Sequence, residues 1–199
     1  MIVDENLVEI TEAGHRVAIA LAYAGPDNLL GRPVYGAGPC LLHRAAEARL
    51  VRAVELAALC GLKLRILDAY RPPWAHETFW RVLGDPRYVA DPAVGSNHSR
   101  GVAVDLTLVD RRGRELDLGT PFDAMVEEAM PFHPGLSVPV QRRRMLLAGI
   151  MTQAGFELSD SEWWHFTLPA ARSYPVLQDD RIQRPVQEQK VATPDPQEG

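Results

Sequence analysis

The chain has 199 residues, of which 21 are lysine or arginine and 26 are aspartate or glutamate, so its formal net charge is −5 at pH 7. This length fits one domain, since domains commonly run to about 100–200 residues. A content of 46% hydrophobic and 24% charged residues excludes wholesale disorder. Because positive charge is not in excess, we expect no nucleic-acid partner. Two cysteines do not supply a disulfide framework.

The first half of the chain contains one clear helical pattern. Apolar residues at 42, 46, 50, 54 and 57 recur at helical spacing before Gly61, which predicts a helix over 41–60. Strands are expected where apolar and polar residues alternate, and loops where Gly, Pro, Asp and Asn cluster. These patterns predict, in chain order, a strand over 62–67, a helix over 76–83, a loop over 84–97 and a strand over 102–108.

The second half opens with a helix start signal. Thr120 is a capping residue, Pro121 suits the first helical position, and Asp123 is an early acid, so a short helix is predicted there. The patterns that follow predict a helix over 139–154 and strands over 156–158 and 163–168.

These elements predict an α+β domain over residues 1–177, in which a small, mostly antiparallel sheet is flanked by helices. From residue 178 only four of the 22 remaining residues are apolar, which predicts a flexible C-terminal tail over 178–199. The apolar run over 17–24 follows acidic residues and is far shorter than the about 20 residues that span a bilayer. We therefore expect a cytoplasmic protein with no membrane partner.

Polar residues that suggest a metal site fall at the start of the predicted strand over 102–108. His98 precedes this strand, and Asp105 lies within it on the face opposite the Val and Leu residues. His and carboxylate groups are zinc ligands of the open catalytic type, in which three protein ligands leave a position for water. His165 supplies the third ligand, so we expect one zinc ion per chain on the sheet.

Two further residues would complete a hydrolytic site. Positions i and i+3 of a strand face opposite ways, so Glu162 must lie in the turn ahead of His165 if both serve one metal. There Glu162 would act as general base and acid for a zinc-bound water. Arg71, held by the prolines that follow it, is a suitable donor to the oxyanion. Trp163 and Trp164 would wall the site.

Each signal also has an ordinary structural interpretation. His98 could be a hydrogen-bonded loop residue, Arg71 could pin Asp68 in a turn, and the tryptophan pair could belong to the core. His15, His43, His76 and His133 have no partners by spacing and are interpreted as surface or structural groups.

Beyond the spacing of single residues, several motifs occur in a defined order along the chain. They are Tyr23 to Gly36, Asp68-Ala69-Tyr70-Arg71-Pro72, Ser96-Asn97-His98 with Gly101 and Asp105, Gly119 to Asp123, and Glu162-Trp163-Trp164-His165. This set resembles the D-alanyl-D-alanine dipeptidases of the VanX type, which are zinc peptidases related in fold to D,D-carboxypeptidases and Hedgehog-like domains. The resemblance runs from about residue 20 to residue 177.

The resemblance implies a role for each matching position. It implies zinc on the ligand set described above, Glu162 as general acid and base, and Arg71 as the group that stabilises the oxyanion. It also implies that Ser96 helps to hold the substrate carboxylate, and that Asp123 and the Tyr23 region receive the substrate ammonium. An ammonium and a carboxylate are natural partners.

One departure bears on the substrate. Where the family usually has Asp-Leu-x-Tyr-Ala-Thr, this chain reads Ala20 to Gly25 without the acid and the hydroxyl. We therefore expect hydrolysis of D-Ala-D-Ala or of a related D-amino-acid dipeptide into free amino acids. Two alternatives stay open: a carboxypeptidase or endopeptidase of the same structural cluster that acts on peptidoglycan peptides, and a non-catalytic zinc-binding module. The sequence does not define the oligomeric state.

Overall fold

A computed structural model describes residues 2–85 and 90–185 of the chain. Within these residues the helices are α1 (Glu12–His15), α2 (Arg44–Leu59), α3 (Pro73–Leu83) and α4 (Val138–Gln153). The strands are β1 (Leu7–Ile10), β2 (Ala18–Ile19), β3 (Cys40–His43), β4 (Lys63–Asp68), β5 (Ala103–Val109), β6 (Glu157–Leu158) and β7 (His165–Thr167). None of the described helices combines the length and apolar content that a membrane crossing requires.

The main sheet has five strands in the order β2-β4-β5-β7-β6. Strand β2 runs parallel to β4, and the other neighbours are antiparallel. A separate antiparallel pair joins β1 to β3. The predicted α+β class with a small, mostly antiparallel sheet is confirmed.

The two faces of the main sheet pack against different partners. On one face, Val104 and Leu106 of β5 join a buried apolar cluster with Leu50 of α2 and with Leu147 and Met151 of α4. Burying an aliphatic side chain of this size stabilises a fold by roughly 1.5–3 kcal/mol, so this face supplies much of the stability. A second buried cluster includes aromatic side chains from the loop after β2, the turn after β4 and α3: Tyr23, Tyr35, Tyr70 and Phe79.

The predicted helix over 41–60 is wrong at its beginning, because residues 40–43 form β3. Leu41 and Leu42 are fully buried, and their strand pairs with β1 from Leu7↔His43 to Ile10↔Cys40. A short apolar run fits a buried strand as well as a helix, and here pairing with β1 decides between them. Helix α2 starts at Arg44, where the His43 ring accepts a hydrogen bond from the backbone N–H of Ala45.

The predicted short helix at 120 is also wrong. Asp123 has a left-handed backbone conformation, with φ of 64°, which a continuing right-handed helix does not allow. Its carboxylate accepts hydrogen bonds from Tyr23 and Leu29 instead of capping a helix. A single 3₁₀ turn follows at Glu127–Ala129.

Part of the predicted tail packs on the domain. Ile182 is buried, the backbone N–H of Gly36 donates to the carbonyl of Gln183, and Asp179 accepts from the backbone N–H of Asp4. Arg181 pairs with Asp179 at 2.7 Å. The packed region therefore extends at least to residue 185, and residues 186–199 lie outside the described part.

Gly101, which joins the His98 segment to β5, gives a stability test. Its φ is +68°, and an added Cβ would lie 2.6 Å from Leu7 Cδ2 and 3.0 Å from the His43 backbone nitrogen. We expect Gly101→Ala to lower the free energy of unfolding in urea by about 2–4 kcal/mol, through backbone strain and overpacking. Gly113→Ala is the control, because φ there is +77° but no atom lies within 4 Å of the added Cβ. Equal losses in the two variants would show that the contact contributes nothing.

Candidate active site

Three neighbouring strands place polar side chains on one face of the main sheet. Asp105 on β5 is paired with Asp68 on β4 and with His165 on β7. The pairing of Asp68 depends on an irregularity, because Ile66 faces Leu106 whereas Asp68 faces Asp105, which leaves Leu67 as an extra residue in β4. Such a bulge reverses the alternation of side chains, so Asp68 lies beside Asp105 instead of continuing the apolar row of Leu64 and Ile66.

His98 completes the group from a 3₁₀ turn, His98–Arg100, just before β5. Its Nδ1 lies 2.7 Å from the carbonyl oxygen of Ala69. A carbonyl only accepts, so Nδ1 carries the proton and Nε2 is left as the ligand atom. Nε2 lies 3.4 Å from Oδ1 of Asp105 and 3.2 Å from Nδ1 of His165. The last two atoms are 2.8 Å apart.

Among the described residues, His98, Asp105 and His165 are the one group of His, Cys, Asp or Glu side chains whose ligand atoms lie close enough together to hold a metal ion. In a tetrahedral site with bonds of about 2.0–2.1 Å, ligand atoms lie about 3.3 Å apart. Two of the separations, 3.2 and 3.4 Å, match that spacing, and the third, 2.8 Å, is shorter. His98, Asp105 and His165, the three residues that the sequence singles out as ligands, therefore form a metal-ligand group on the sheet that could hold one ion.

The charges of the group favour an ionised Asp105. Burial alone would raise the pKa of this carboxyl, but the positive charge of His98 and hydrogen bonds from His165 and His98 hold the pKa well below its usual value. For His98, burial lowers the pKa and the nearby Asp105 charge raises it, with a net increase. The site thus retains a carboxylate although Asp105 is 2% exposed.

Glu162 lies in the turn ahead of β7, as its spacing from His165 requires. The backbone N–H of His165 donates to the carbonyl of Glu162 at 3.3 Å, which closes the turn. The Glu162 side chain is half-buried and lines the same cavity as the metal-ligand group. Burial raises the pKa of its carboxyl to about 7, a value suited to exchanging protons near neutral pH.

Arg71 both pairs with Asp68 and faces the cavity. Its Nε and Nη2 donate to Oδ2 of Asp68 at 2.9 and 2.7 Å, and its guanidinium lies 4.6 Å from the centre of the Tyr23 ring and 4.8 Å from that of Phe79. The hydroxyl of Tyr35 donates to the other Asp68 oxygen at 2.8 Å. The sequence left open whether Arg71 pins Asp68 or belongs to a site. In the structure Arg71 pairs with Asp68 and also lines the cavity.

The three residues assigned to substrate binding also line the cavity, whose volume is about 170 Å³. The hydroxyl of Ser96 accepts from the backbone N–H of His98 at 3.2 Å. Asp123 accepts from the hydroxyl of Tyr23 at 2.8 Å and from the backbone N–H of Leu29 at 3.0 Å. Burial raises the pKa of Asp123, and these two hydrogen bonds oppose that shift. The eight residues to which the sequence analysis assigned metal-binding, catalytic or substrate-binding roles thus all line one cavity.

Some residues of the site were missed or misplaced by sequence reasoning. Trp164 lines the cavity, whereas Trp163 does not and donates through Nε1 to Thr120. His76, interpreted as a surface or structural group, is buried in the cavity wall, and its Nε2 contacts the carbonyl of Ala90. Tyr35 carried no signal beyond its place in a matching motif.

An α+β domain that gathers two histidines, a carboxylate, a second carboxyl group and an arginine in one cavity has the arrangement of a metal-dependent hydrolase. The model of the Peptidase M15 family, described as D-Ala-D-Ala dipeptidase, matches residues 4–187. The chain therefore belongs to this family of metallopeptidases, and the resemblance noted from the motifs is confirmed.

Individual relatives agree with the family match. D-alanyl-D-alanine dipeptidases from Escherichia coli, Enterococcus faecium and Enterococcus faecalis are 47%, 34% and 30% identical to this chain. The similarity covers 87%, 83% and 83% of this chain, and 90%, 94% and 92% of those relatives. The likeness thus extends through nearly their full length.

The contact between Tyr35 and Asp68 can be tested by removing one hydroxyl. We expect Tyr35→Phe to lower the free energy of unfolding by about 1–3 kcal/mol, because it leaves a buried carboxylate oxygen without its donor. Urea denaturation measures the change. Tyr174→Phe is the matched control, since the Tyr174 hydroxyl has no hydrogen-bond partner among the described residues. A Tyr35→Phe protein as stable as the wild type would contradict this account of Asp68.

Proposed function

We propose that this chain is a zinc D,D-dipeptidase that hydrolyses D-Ala-D-Ala, or a related D-amino-acid dipeptide, into two free amino acids. The observation that carries the proposal is the gathering of the metal-ligand group, Glu162 and Arg71 around one cavity of about 170 Å³. The relatives named above are dipeptidases, and a cavity this small favours a small substrate.

The donor set favours zinc, with one ion per chain. Two imidazoles and one carboxylate at tetrahedral spacing are typical of catalytic zinc sites, which leave a further position open. The hydrogen bond from His98 to Ala69 is the kind of outer contact that fixes a ligating ring. Bound zinc supplies Lewis-acid chemistry, which polarises a carbonyl and makes water a stronger acid.

Glu162 moves the proton in the proposed reaction. Its carboxylate takes a proton from the attacking water as the new C–O bond forms at the peptide carbonyl. It then gives that proton to the leaving nitrogen as the C–N bond breaks, which yields one carboxylic acid and one amine. A carboxyl group whose pKa is about 7 is suited to both halves of this cycle.

Arg71 stabilises the negative charge that develops on the carbonyl oxygen. Its hydrogen bonds to Asp68 and its contacts with the Tyr23 and Phe79 rings fix the guanidinium before substrate binds. A donor held in place in this way needs no reorganisation during the reaction, which is what makes such groups effective.

The two substrate ends bind to different groups. Asp123, hydrogen-bonded to the Tyr23 hydroxyl, receives the ammonium, and the hydroxyl of Ser96 contributes to the carboxylate site. Hydrolysis of peptidoglycan stem peptides in preference to the dipeptide would favour a carboxypeptidase or endopeptidase instead. Stoichiometric zinc without hydrolysis of any D,D-, L,L- or mixed dipeptide would favour a non-catalytic module.

The proton-transfer role of Glu162 is tested by Glu162→Gln, which keeps the shape and removes the base. We expect hydrolysis of D-Ala-D-Ala to fall by about 10²–10⁴-fold, while elemental analysis finds the same metal content as in the wild type. Glu157→Gln, on the exposed side of β6, is the control and should retain full activity. Wild-type turnover by Glu162→Gln would exclude this residue as the base.

The metal assignment is tested by removal and return of the ion. Dialysis against a chelator should abolish hydrolysis and lower the melting temperature, because a bound ion stabilises the folded state. One equivalent of zinc should restore both. His165→Ala should fail to recover either property, whereas His133→Ala, outside the cavity, should recover both. Full activity in protein shown to be free of metal would contradict the proposal.

A further inference from the structure

Arg172 is a cavity-lining cation that the reaction described above does not use. It lies in the 3₁₀ turn Ala171–Ser173, just after β7, and its side chain is exposed. Within residues 2–85 and 90–185 it makes no ion pair or side-chain hydrogen bond. Arg71, the other arginine of the cavity, is already neutralised by Asp68 at 2.7 Å. Arg172 therefore brings a positive charge to the cavity that no described side chain balances.

The backbone segment that carries Arg172 is held close to the segment that carries Ser96. Arg100 joins the two segments, because one guanidinium nitrogen donates to the carbonyl of Tyr174 and another donates to that of Val94 at 2.6 Å. The backbone N–H of Leu177 also donates to the carbonyl of Ser99 at 2.9 Å. Arg172 is two residues from one end of this clamp, and Ser96 is two residues from the other.

The opposite charge comes from another wall of the cavity. Asp123 is held by the Tyr23 hydroxyl and the Leu29 backbone, neither of which belongs to the segments that Arg100 joins. The cavity thus carries an acid on one wall and an unbalanced base on another. A dipeptide zwitterion has the same two charges at its two ends.

We propose that Arg172 binds the terminal carboxylate of the dipeptide, next to the hydroxyl of Ser96. This inference rests on the proposed function and adds the cation that recognises one end of the substrate. Guanidinium and carboxylate groups form strong charge-assisted hydrogen bonds. Because Arg172 is exposed, we expect its loss to raise KM by about 5–20-fold, between the effects of an exposed ion pair and of a hydrogen bond to a buried charged group, and to leave kcat nearly unchanged.

The test compares a free carboxylate with its neutral analogue. For wild type, Arg172→Ala and Arg172→Lys, we would measure KM and kcat for D-Ala-D-Ala and the inhibition constant of D-Ala-D-Ala amide as a competitor. Arg172→Ala should raise KM for the free dipeptide and leave the inhibition constant of the amide unchanged, so that the enzyme no longer discriminates between the two ligands. Arg172→Lys should retain part of it. If Arg172 had only a structural role, its loss would weaken the binding of both ligands to the same extent.

Arg142→Ala is the matched control, because it removes the same charge from an exposed position of α4, outside the cavity. It should behave like the wild type. If the ratio of KM for the dipeptide to the inhibition constant of the amide is unchanged in Arg172→Ala, the inference about Arg172 is overturned. The proposed function would stand, because wild-type turnover in the same assay supports it. Absence of any dipeptide hydrolysis by the wild type would overturn the proposed function and the inference with it.

Discussion

The carboxylate of Asp68 is completely buried, and an unpaired charge in that position would be very costly. Tyr35, Arg71 and His98 each bring a polar atom within 3.3 Å of it. These partners come from the loop after β2, the turn after β4 and the turn before β5. The charge is compensated only when all three segments are in place, so one carboxylate couples the folding of the cavity walls to the geometry of the arginine and of a metal ligand.

The bulge in β4 allows one face of the sheet to be apolar while the other face carries ionisable side chains. Without the extra residue Leu67, Asp68 would continue the row of Leu64 and Ile66 into the apolar cluster against α2 and α4. With it, Asp68 joins Asp105 on the opposite face. The sheet can therefore retain a close-packed side that stabilises the fold while the other side holds several ionisable groups, whose desolvation costs stability.

Sequence periodicity predicted much of this arrangement. The alternation in β5 placed Asp105 opposite the apolar row, and the offset between Glu162 and His165 predicted a turn. The bulge at Leu67 was not predictable, because continued alternation assigns Asp68 to the apolar face. The loop around Asp123 was missed for a related reason. Its capping signals are local, whereas its conformation is determined by Tyr23 and Leu29, which are distant in the chain.

The distribution of charge around the cavity has a consequence for substrate length under the proposed function. Asp123 is 6% exposed and accepts two hydrogen bonds, so a neutral peptide group in place of the ammonium would leave its charge unbalanced in a poorly solvated position. An acylated amino end, as in a longer peptide, therefore loses more than one contact. Discrimination by such an unpaired buried charge is far stronger than discrimination by apolar fit. Under the proposed function, the buried acid thus penalises peptides that are extended at the amino end, and the exposed Arg172 adds a weaker preference for a free carboxylate at the other end.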